Sequence, residues 1–245
     1  MLPKVIHYCW FGRAPLPRLA FKCIESWKKY FPDYEIKEWN EDNFDVNMIP
    51  YTQEAYVQKR YAFVSDYARF WILYNYGGIY FDTDVEVIKP MDDIIVHGAF
   101  MGCETIVKKE IPIYVNPGLG LGCEAGHPIY HDLLQLYSTL HFIDSDGKQN
   151  LKTIVQYTSE YLVGLGLEKI DKIQNVGNIY IYPKEYFNPY DYDLNKIIIT
   201  NNTRTIHYFA GTWKTKRERF MAFVENYFGS KAVLFIHKIK VLLFR

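Results

Sequence analysis

Neither sign of charge predominates in this sequence, and its cysteines do not pair at metal-binding spacing. The 245 residues include 28 Lys and Arg against 28 Asp and Glu, so no overall basic field argues for a nucleic-acid partner. The four cysteines, Cys9, Cys23, Cys103 and Cys123, are scattered along the chain without a CxxC pair. This pattern predicts small buried hydrophobic side chains in a reducing compartment rather than a zinc site.

Long apolar runs are also missing, and the first residues do not predict an export segment. The sequence has no run of about 18 apolar residues, which argues against a membrane-spanning helix. Residues 1–4 lead directly into a predicted strand at 5–11, so we expect no signal peptide and a cytoplasmic protein. A chain of 245 residues can bury one sizeable core, and no repeat or linker divides it, so one main domain is expected.

Strand-like and helix-like hydrophobic spacing alternate along the chain. Strands are predicted at residues 5–11, 34–39, 79–81, 99–104, 179–182 and 203–208, and helices at 16–30, 54–76 and 129–137. The strand–helix–strand–helix–strand order of the first third implies parallel pairing in an α/β sheet. Ligands of such sheets bind outside the carboxyl ends of the strands.

Two carboxylates, Asp82 and Asp84, follow the predicted strand at residues 79–81. Residues two apart in an extended chain point to the same side, so we expect both carboxylates to lie together at the carboxyl end of the sheet. Carboxylates placed together in low dielectric repel each other unless a cation joins them. Mg²⁺ and Mn²⁺ prefer such oxygen ligands, and the simplest use of a metal there is to hold a diphosphate.

A second polar pair, Asp66 and Arg69, lies in the middle of the predicted helix at 54–76. Residues three apart are neighbours on one helical face. One interpretation is a surface ion pair worth well under about 1 kcal/mol. The other is a clamp in which Asp66 accepts hydrogen bonds from sugar hydroxyls while Arg69 donates to phosphate or sugar oxygens. The spacing alone favours neither interpretation.

Histidine and tryptophan residues near the two ends of the chain are further candidates, although a lone His or Trp more often belongs to the core. His207 ends a strand-like run before a glycine-containing loop, so it could supply a neutral imidazole to the same metal. Trp10 and Trp213 could stack on a nucleotide base.

The C-terminal residues form a basic apolar segment. Residues 231–245 combine apolar side chains with Lys and Arg and contain no acid, so we divide the chain into a main domain at 1–228 and an amphipathic segment at 229–245. As a helix, the segment would lie at the surface of an anionic membrane with its cations near lipid phosphates. The alternative is a C-terminal helix that packs on the core.

The order of these motifs resembles the DXD sugar-transferase family. The matching stretches are residues 6–12, 26–27, 38–40, 62–69 and 74–84, and the specific combination is Ser-Asp-x-x-Arg followed by Gly-Gly-x-Tyr-x-Asp-x-Asp. The family includes bacterial capsule and O-antigen glycosyltransferases and fungal initiating mannosyltransferases. It is more distantly similar to the glucosyltransferase domain of large clostridial toxins. The resemblance covers residues 3–90 closely and 97–215 loosely.

The resemblance implies a GT-A fold, an α/β architecture whose mostly parallel central sheet is flanked by helices. It implies a nucleotide-sugar donor, with UDP as the expected nucleotide, and Mn²⁺ or Mg²⁺ as cofactor. It also implies retention of configuration at the anomeric carbon. The implied acceptor is a saccharide or a lipid-linked oligosaccharide in capsular or surface polysaccharide synthesis, which would bring the protein to the inner face of the membrane.

The resemblance also assigns roles to the charged residues. By position, Asp66 and Arg69 match the clamp on the donor sugar. Asp84 matches the direct metal ligand, with Asp82 on the metal side of the motif. The acidic residue and the Ser that precede the C-terminal Trp in the toxins are absent here, and His207 is the candidate that replaces them as a ligand.

Four further residues are assigned to substrate binding by the resemblance. Trp10 matches the aromatic residue that stacks on the base, and Tyr80 matches a contact with the nucleotide ribose. Trp213 matches a Trp that closes on the diphosphate, and Asn116 matches a polar group near the acceptor.

Two other functions fit parts of the sequence. The stretch Phe-Asp-Thr-Asp-Val at residues 81–85 also resembles the motif of haloacid-dehalogenase phosphatases, in which the first Asp is a nucleophile. That fold needs a Lys and a later acidic pair, and the adjacent pair Asp92 and Asp93 lies too close downstream. A non-catalytic sugar-binding module is the other alternative, but a metal pair with an Asp–Arg clamp is more than such a module needs.

Overall fold

The computed structural model describes residues 1–104, 114–191, 194 and 196–211. Met1–Tyr208 form one compact unit, and Phe209–Arg245 form a second unit of which residues 209–211 are described. The expected boundary between 228 and 229, the segment at 229–245 and Trp213 lie outside the described residues, so the membrane contact stays a prediction. Among the described helices, none is both long enough and apolar enough to cross a membrane.

Helices and strands alternate through most of the first unit. The helices are α1 (Arg18–Tyr30), α2 (Pro50–Val57), α3 (Tyr61–Tyr76), α4 (Asp92–Ile95), α5 (Pro128–Ser138), α6 (Ile154–Gly164) and α7 (Lys184–Phe187). The strands are β1 (Val5–Cys9), β2 (Glu35–Trp39), β3 (Gly78–Tyr80), β4 (Val85–Val87), β5 (Phe100–Glu104), β6 (Tyr114–Val115), β7 (Leu121–Cys123), β8 (Gln174–Val176), β9 (Ile179–Tyr182), β10 (Tyr190–Asp191), β11 (Lys196–Ile197) and β12 (Thr205–His207).

The central sheet has the strand order β2-β1-β3-β7-β5-β9-β8, and β6 pairs with β5 at its side. Strand β1 pairs in parallel with β2 and β3, and β5 pairs in parallel with β9. Strand β7 runs antiparallel to both β3 and β5, so β2, β1, β3, β5 and β9 all point the same way. The prediction of an α/β fold with a mostly parallel sheet is therefore confirmed. The carboxyl ends of these five strands form one edge of the sheet, which we call the carboxyl edge.

The predicted helix at 54–76 was wrong in one respect, because the chain forms two helices there. Helix α2 ends at Val57, and Lys59 follows with a left-handed φ of 57°. The N–H groups of Lys59 and Arg60 donate to the carbonyls of Tyr56 (2.9 Å) and Ala55 (2.8 Å), which closes the end of α2. Apolar side chains recur at helical spacing on both sides of this turn, so periodicity alone did not reveal it.

The last predicted strand does not join the central sheet. Strand β12 pairs antiparallel with β4, with His207 opposite Val85 and Thr205 opposite Val87. Because β4 follows directly after the Asp-x-Asp motif, this pairing returns the chain to the carboxyl edge near residue 207. The fold therefore brings together residues that are more than a hundred positions apart in sequence.

Apolar side chains cover both faces of the central sheet. One buried cluster includes Val64 and Phe70 of α3, and the other includes Trp27 of α1. The four cysteines are free and buried, as their scattered pattern predicted. Most of the large aromatic content is also core, with Trp27 and Trp39 fully buried.

Candidate active site

Two carboxylates and an imidazole converge just beyond the end of β3. Asp82 and Asp84 lie between β3 and β4, where the N–H of Val85 donates to the carbonyl of Asp82 (3.0 Å). The pairing of β4 with β12 brings His207 to the same place, and the N–H of Tyr208 donates to the carbonyl of Asp84 (3.0 Å). One ligand atom from each of Asp82, Asp84 and His207 lies within 4.8 Å of the others.

The two carboxylates meet for a different reason from the one expected. Strand alternation was the expected cause, but β3 ends at Tyr80, and Thr83 and Asp84 form a turn. Asp82 and Asp84 therefore come together through a turn that leads into β4. The predicted proximity is observed, and the predicted extended backbone is not.

Burial and neighbouring charges both shift the pKa values of Asp82 and His207. Burial raises the pKa of Asp82, Arg69 lowers it, and the nearby charge of Asp84 raises it again, so that the net pKa is above the ordinary value. Burial lowers the pKa of His207, but the hydrogen bond and charge of Asp84, whose Oδ1 lies 3.2 Å from Nε2, help to raise it overall. The raised pKa of His207 reflects the carboxylates around it, whereas that of Asp82 reflects burial first and the charge of Asp84 second.

The cluster fits a divalent metal ion. Two carboxylates and one imidazole are ligands that suit Mn²⁺, whereas Mg²⁺ prefers oxygen ligands alone. The backbone at Gly118 also approaches so closely that a Cβ there would lie 2.3 Å from Oδ2 of Asp82. Asp82, Asp84 and His207 are therefore the residues that could hold a metal, and the loop at Gly118 fixes the position of one carboxylate.

Asp66 and Arg69 are buried next to this cluster rather than exposed on helix α3. Their side chains are 11% and 4% exposed, which rules out the surface ion pair. Nη2 of Arg69 donates to Oδ1 of Asp66 (3.1 Å), and Nε donates to the carbonyl of Ser65 (3.1 Å). Nη1 of Arg69 lies 3.2 Å from Oδ1 of Asp82. Arg69 is thus directed toward two carboxylates, and its contact with phosphate or sugar oxygens stays a prediction.

The side chain of Asp66 is slightly more exposed than that of Arg69, although both are buried. Burial raises the pKa of Asp66 to about 7, against the lowering effects of Arg69 and of a hydrogen bond from the N–H of Ile154 at the start of α6. Near neutral pH such a carboxyl group can accept a hydrogen bond or, when protonated, donate one. Both forms suit a hydroxyl ligand.

Tyr80 contacts Asp82, one of the three candidate metal ligands. Its side chain is 1% exposed, and its hydroxyl donates to Oδ1 of Asp82 (3.2 Å). The guanidinium of Arg69 lies 4.8 Å from the centre of its ring. The ring is covered by Arg69 rather than open to a ribose, because β3 is a central strand with α3 packed on it. Tyr80 therefore orients Asp82.

Asn116 and Glu104 lie on the other side of Asp82. Asn116 is 8% exposed, its Oδ1 accepts from the N–H of Gly118 (2.7 Å), and its Nδ2 donates to Oε2 of Glu104 (2.5 Å). Both ends of the Asn116 amide are thus used within the protein. Sequence reasoning missed Glu104, although an acidic residue at the end of the predicted strand at 99–104 was a usable signal.

Trp10 follows β1 and is partly exposed, with its indole N–H donating to the carbonyl of Ala14 (2.6 Å). It lies at the carboxyl end of β1, which is a neighbour of β3 in the sheet. This position is compatible with stacking on a nucleotide base, which stays a prediction. Trp213 lies outside the described residues.

Residues 17–101 match the family model described as the glycosyltransferase sugar-binding region containing the DXD motif. This stretch is thus similar to the DXD region of glycosyltransferases. Asp66, Arg69, Asp82 and Asp84 all fall inside the DXD region, so the family match covers the buried charge network and the two acidic metal candidates. The remaining members of the site come from the rest of the chain.

Two relatives extend the similarity beyond the DXD region. Inositol phosphoceramide mannosyltransferase 3 of Schizosaccharomyces pombe is 29% identical over 143 residues, which is 57% of this chain and 37% of the relative. An uncharacterized glycosyltransferase of Acanthamoeba polyphaga mimivirus is 32% identical over 136 residues, which is 53% of each chain. The matched part of this chain therefore spans about half or less of these relatives.

A solved structure shares the architecture. The PaToxG glycosyltransferase superposes with a TM-score of 0.50 at 18% identity, over 67% of this chain and 72% of that one. This likeness confirms the expected GT-A fold.

Proposed function

We propose that this chain is a metal-dependent glycosyltransferase that moves a sugar from a nucleotide-sugar donor to a saccharide acceptor. The observation that carries the proposal is the convergence of Asp82, Asp84 and His207, whose ligand atoms lie within 4.8 Å of one another. The cluster lies at the carboxyl edge of the sheet, where α/β proteins bind their ligands. The DXD glycosyltransferase match of residues 17–101 supports the same chemistry.

Asp82, Asp84 and His207 would hold the metal ion, for which we propose Mn²⁺ or Mg²⁺. When bound, such an ion supplies positive charge that stabilises the diphosphate as it leaves the sugar. Tyr80 and Arg69 hold Asp82 in place through contacts of 3.2 Å each, so this carboxylate is positioned before any ligand arrives. Preorganisation of this kind lowers the cost of reaching the transition state.

The donor would be recognised by Asp66, Arg69 and Trp10. Asp66 accepts hydrogen bonds from hydroxyls of the donor sugar, and Arg69 sets the position of that carboxylate through its 3.1 Å hydrogen bond. Trp10 stacks on the base, for which we propose uracil. Retention of configuration is carried over from the resemblance of the Ser-Asp-x-x-Arg and Gly-Gly-x-Tyr-x-Asp-x-Asp motifs, and the anomeric configuration of the product, read by NMR, tests it.

The acceptor that we propose is a saccharide, free or linked to a lipid, in the synthesis of a surface polysaccharide. One relative is named as an inositol phosphoceramide mannosyltransferase. Mannose is therefore a donor sugar worth testing, and glycolipids are acceptors worth testing. A donor panel should therefore include GDP-mannose beside the UDP-sugars.

The direct test is a screen for metal-dependent donor hydrolysis. The full chain is incubated with UDP-glucose, UDP-galactose, UDP-N-acetylglucosamine or GDP-mannose, with Mn²⁺ or with EDTA, and the released nucleoside diphosphate is measured. We expect hydrolysis of at least one donor, its loss in EDTA and its recovery when Mn²⁺ is restored. Release of phosphate from p-nitrophenyl phosphate without donor hydrolysis would instead support a phosphatase. Absence of both activities would support a binding module.

A further inference from the structure

Glu104 ends β5 at the carboxyl edge and is partly buried. Its Oε2 accepts a hydrogen bond from Nδ2 of Asn116 at 2.5 Å. Asn116 is held in turn by the N–H of Gly118, whose backbone lies against Oδ2 of Asp82. Glu104 is therefore connected to the candidate metal ligand Asp82 through Asn116 and the loop at Gly118.

In the part of the chain that the structure describes, few charged or hydrogen-bonding groups offset the partial burial of the Glu104 carboxyl group. Among the described residues, no Lys, Arg or His nitrogen lies within 4.0 Å of it, and its hydrogen-bond donor is the neutral amide of Asn116. The charged groups that face it from further away are His207 and Lys184, on β12 and α7. A partly buried carboxylate whose hydrogen-bond donor is one neutral amide keeps the capacity to accept a further hydrogen bond.

The position of Glu104 separates it from the donor-sugar side of the site. Oδ1 of Asp82 faces Tyr80 and Arg69, which is the side of Asp66. Oδ2 of Asp82 faces the loop at Gly118, which is the side of Asn116 and Glu104. A ligand held at Asp66 and a ligand held at Glu104 would thus lie nearer to different oxygens of Asp82.

The chemistry of Glu104 also selects between ligands. A carboxylate repels a diphosphate, whereas it forms short, strong hydrogen bonds with neutral hydroxyl donors. A sugar hydroxyl is therefore the group that fits Oε1, the oxygen that Asn116 does not use.

We propose that Glu104 binds the acceptor: its carboxylate accepts a hydrogen bond from a hydroxyl of the acceptor sugar, and Asn116 is the positioning residue that fixes this carboxylate. This inference rests on the proposed glycosyltransferase function and assigns the acceptor end of the same site. It gives Asn116 an indirect role, because both ends of its amide are occupied within the protein.

The test compares transfer with hydrolysis in the full chain loaded with Mn²⁺. The donor is the nucleotide-sugar that the wild-type protein hydrolyses, and the acceptors are the methyl α-glycosides of mannose, glucose and galactose. The variant is Glu104→Gln. The matched control is Glu185→Gln on α7, whose carboxylate also accepts from neutral groups, Thr200 (2.8 Å) and Asn202 (2.8 Å).

We expect Glu104→Gln to lower kcat/KM for the acceptor about 10- to 100-fold, as expected for loss of a hydrogen bond to a charged group. Donor hydrolysis without acceptor should change by less than about threefold, and the control variant should change neither rate. Thermal unfolding of Glu104→Gln should occur at or above the wild-type temperature, because the variant buries no charge.

Three results would overturn parts of this account in different ways. Equal losses of transfer and hydrolysis would place Glu104 on the donor or metal side, and unchanged transfer would remove any contact with the acceptor. A wild-type protein that hydrolyses no donor would instead contradict the proposed function on which the inference rests.

Discussion

Nη1 of Arg69 lies 3.2 Å from Oδ1 of Asp82, so the middle of α3 and the chain just beyond β3 meet in a charge pair between a buried guanidinium and a partly exposed carboxylate. The same guanidinium donates to Asp66 from its other nitrogen at 3.1 Å. Arg69 therefore compensates two carboxylates at once, and a third, Asp84, lies next to them. The described network carries more negative than positive charge, which is the arrangement expected of a site that takes up a cation.

Replacement of this arginine should destabilise the fold. Arg69→Met keeps much of the side-chain volume but leaves the buried Asp66 and the partly exposed Asp82 without their cation. We expect a loss of about 3–5 kcal/mol in the free energy of unfolding, measured in urea at pH 7. The double variant Arg69→Met/Asp66→Asn should recover part of this loss because one uncompensated carboxylate is removed. A loss below about 1 kcal/mol in the single variant would contradict the role given to Arg69.

His7 should make stability depend on pH. Its Nδ1 accepts from the indole N–H of Trp39 (3.0 Å), and its Nε2 lies 3.0 Å from the carbonyl of Gly77 just before β3. Burial lowers the pKa of His7 from 6.5 to about 4; the hydrogen bond to Gly77 opposes this shift, and the charge of Lys37 adds a smaller lowering. Between pH 6.5 and 4 the unfolded chain therefore binds a proton that the folded chain does not, and stability falls as pH falls.

The variant His7→Gln isolates this effect. Over that pH range the wild-type protein should lose about 3 kcal/mol more unfolding free energy than the variant. The comparison is needed because the raised pKa of Asp66, about 7, acts in the opposite direction and stabilises the folded state as pH falls. Parallel stability curves for the two proteins would show that His7 is not held neutral.

Asp66 should distinguish a nucleotide-sugar from a free nucleoside diphosphate. In Asp66→Asn the shape of the side chain is kept and its negative charge is lost. We expect binding of the nucleotide-sugar to weaken about 10- to 100-fold, because a hydroxyl loses its charged acceptor. Binding of the nucleoside diphosphate should change much less. Isothermal titration calorimetry with both ligands in Mn²⁺ decides, and equal losses for both would argue against a sugar contact at Asp66.

Gly118 should tolerate no side chain. A Cβ at this position would lie 2.3 Å from Oδ2 of Asp82 and 3.0 Å from Oδ1 of Asn116. Gly118→Ala should therefore displace Asp82, at a cost of about 1–3 kcal/mol in stability and with weaker Mn²⁺ binding. The matched control is Gly164→Ala at the end of α6, where a Cβ meets nothing within 4 Å. Gly164→Ala should keep the wild-type affinity for Mn²⁺. Wild-type affinity for Mn²⁺ in Gly118→Ala would contradict the claim that the backbone at Gly118 positions Asp82.

The parts of the fold that rest on local patterns were predictable. The first strands and helices, their parallel order and the site at the carboxyl edge follow from hydrophobic spacing and the α/β order. The break between α2 and α3 was missed because it rests on one left-handed residue, Lys59, within an unbroken apolar period. Such a turn has no signal in a pattern read at helical spacing.

The parts of the site that rest on long-range contacts were predictable only in outline. His207 was a candidate on its own, but its contact with Asp84 depends on the pairing of β4 with β12, which no local pattern specifies. The burial of Tyr80 and the occupied amide of Asn116 depend on packing in the same way. Glu104 was missed because it is a single acidic residue at a strand end, without the closely spaced second acid that marked Asp82 and Asp84.

The central claim is that Asp82, Asp84 and His207 bind a metal that the reaction needs, and Mn²⁺ titration of Asp84→Asn tests it most directly. Electron paramagnetic resonance reports free Mn²⁺, and the exposed carboxylate of Asp132, replaced in Asp132→Asn, serves as control. We predict one tight site in the wild-type and control proteins, and affinity at least about 100-fold weaker in Asp84→Asn with loss of donor hydrolysis and an unchanged unfolding temperature. Wild-type Mn²⁺ affinity and turnover in folded Asp84→Asn would contradict the account.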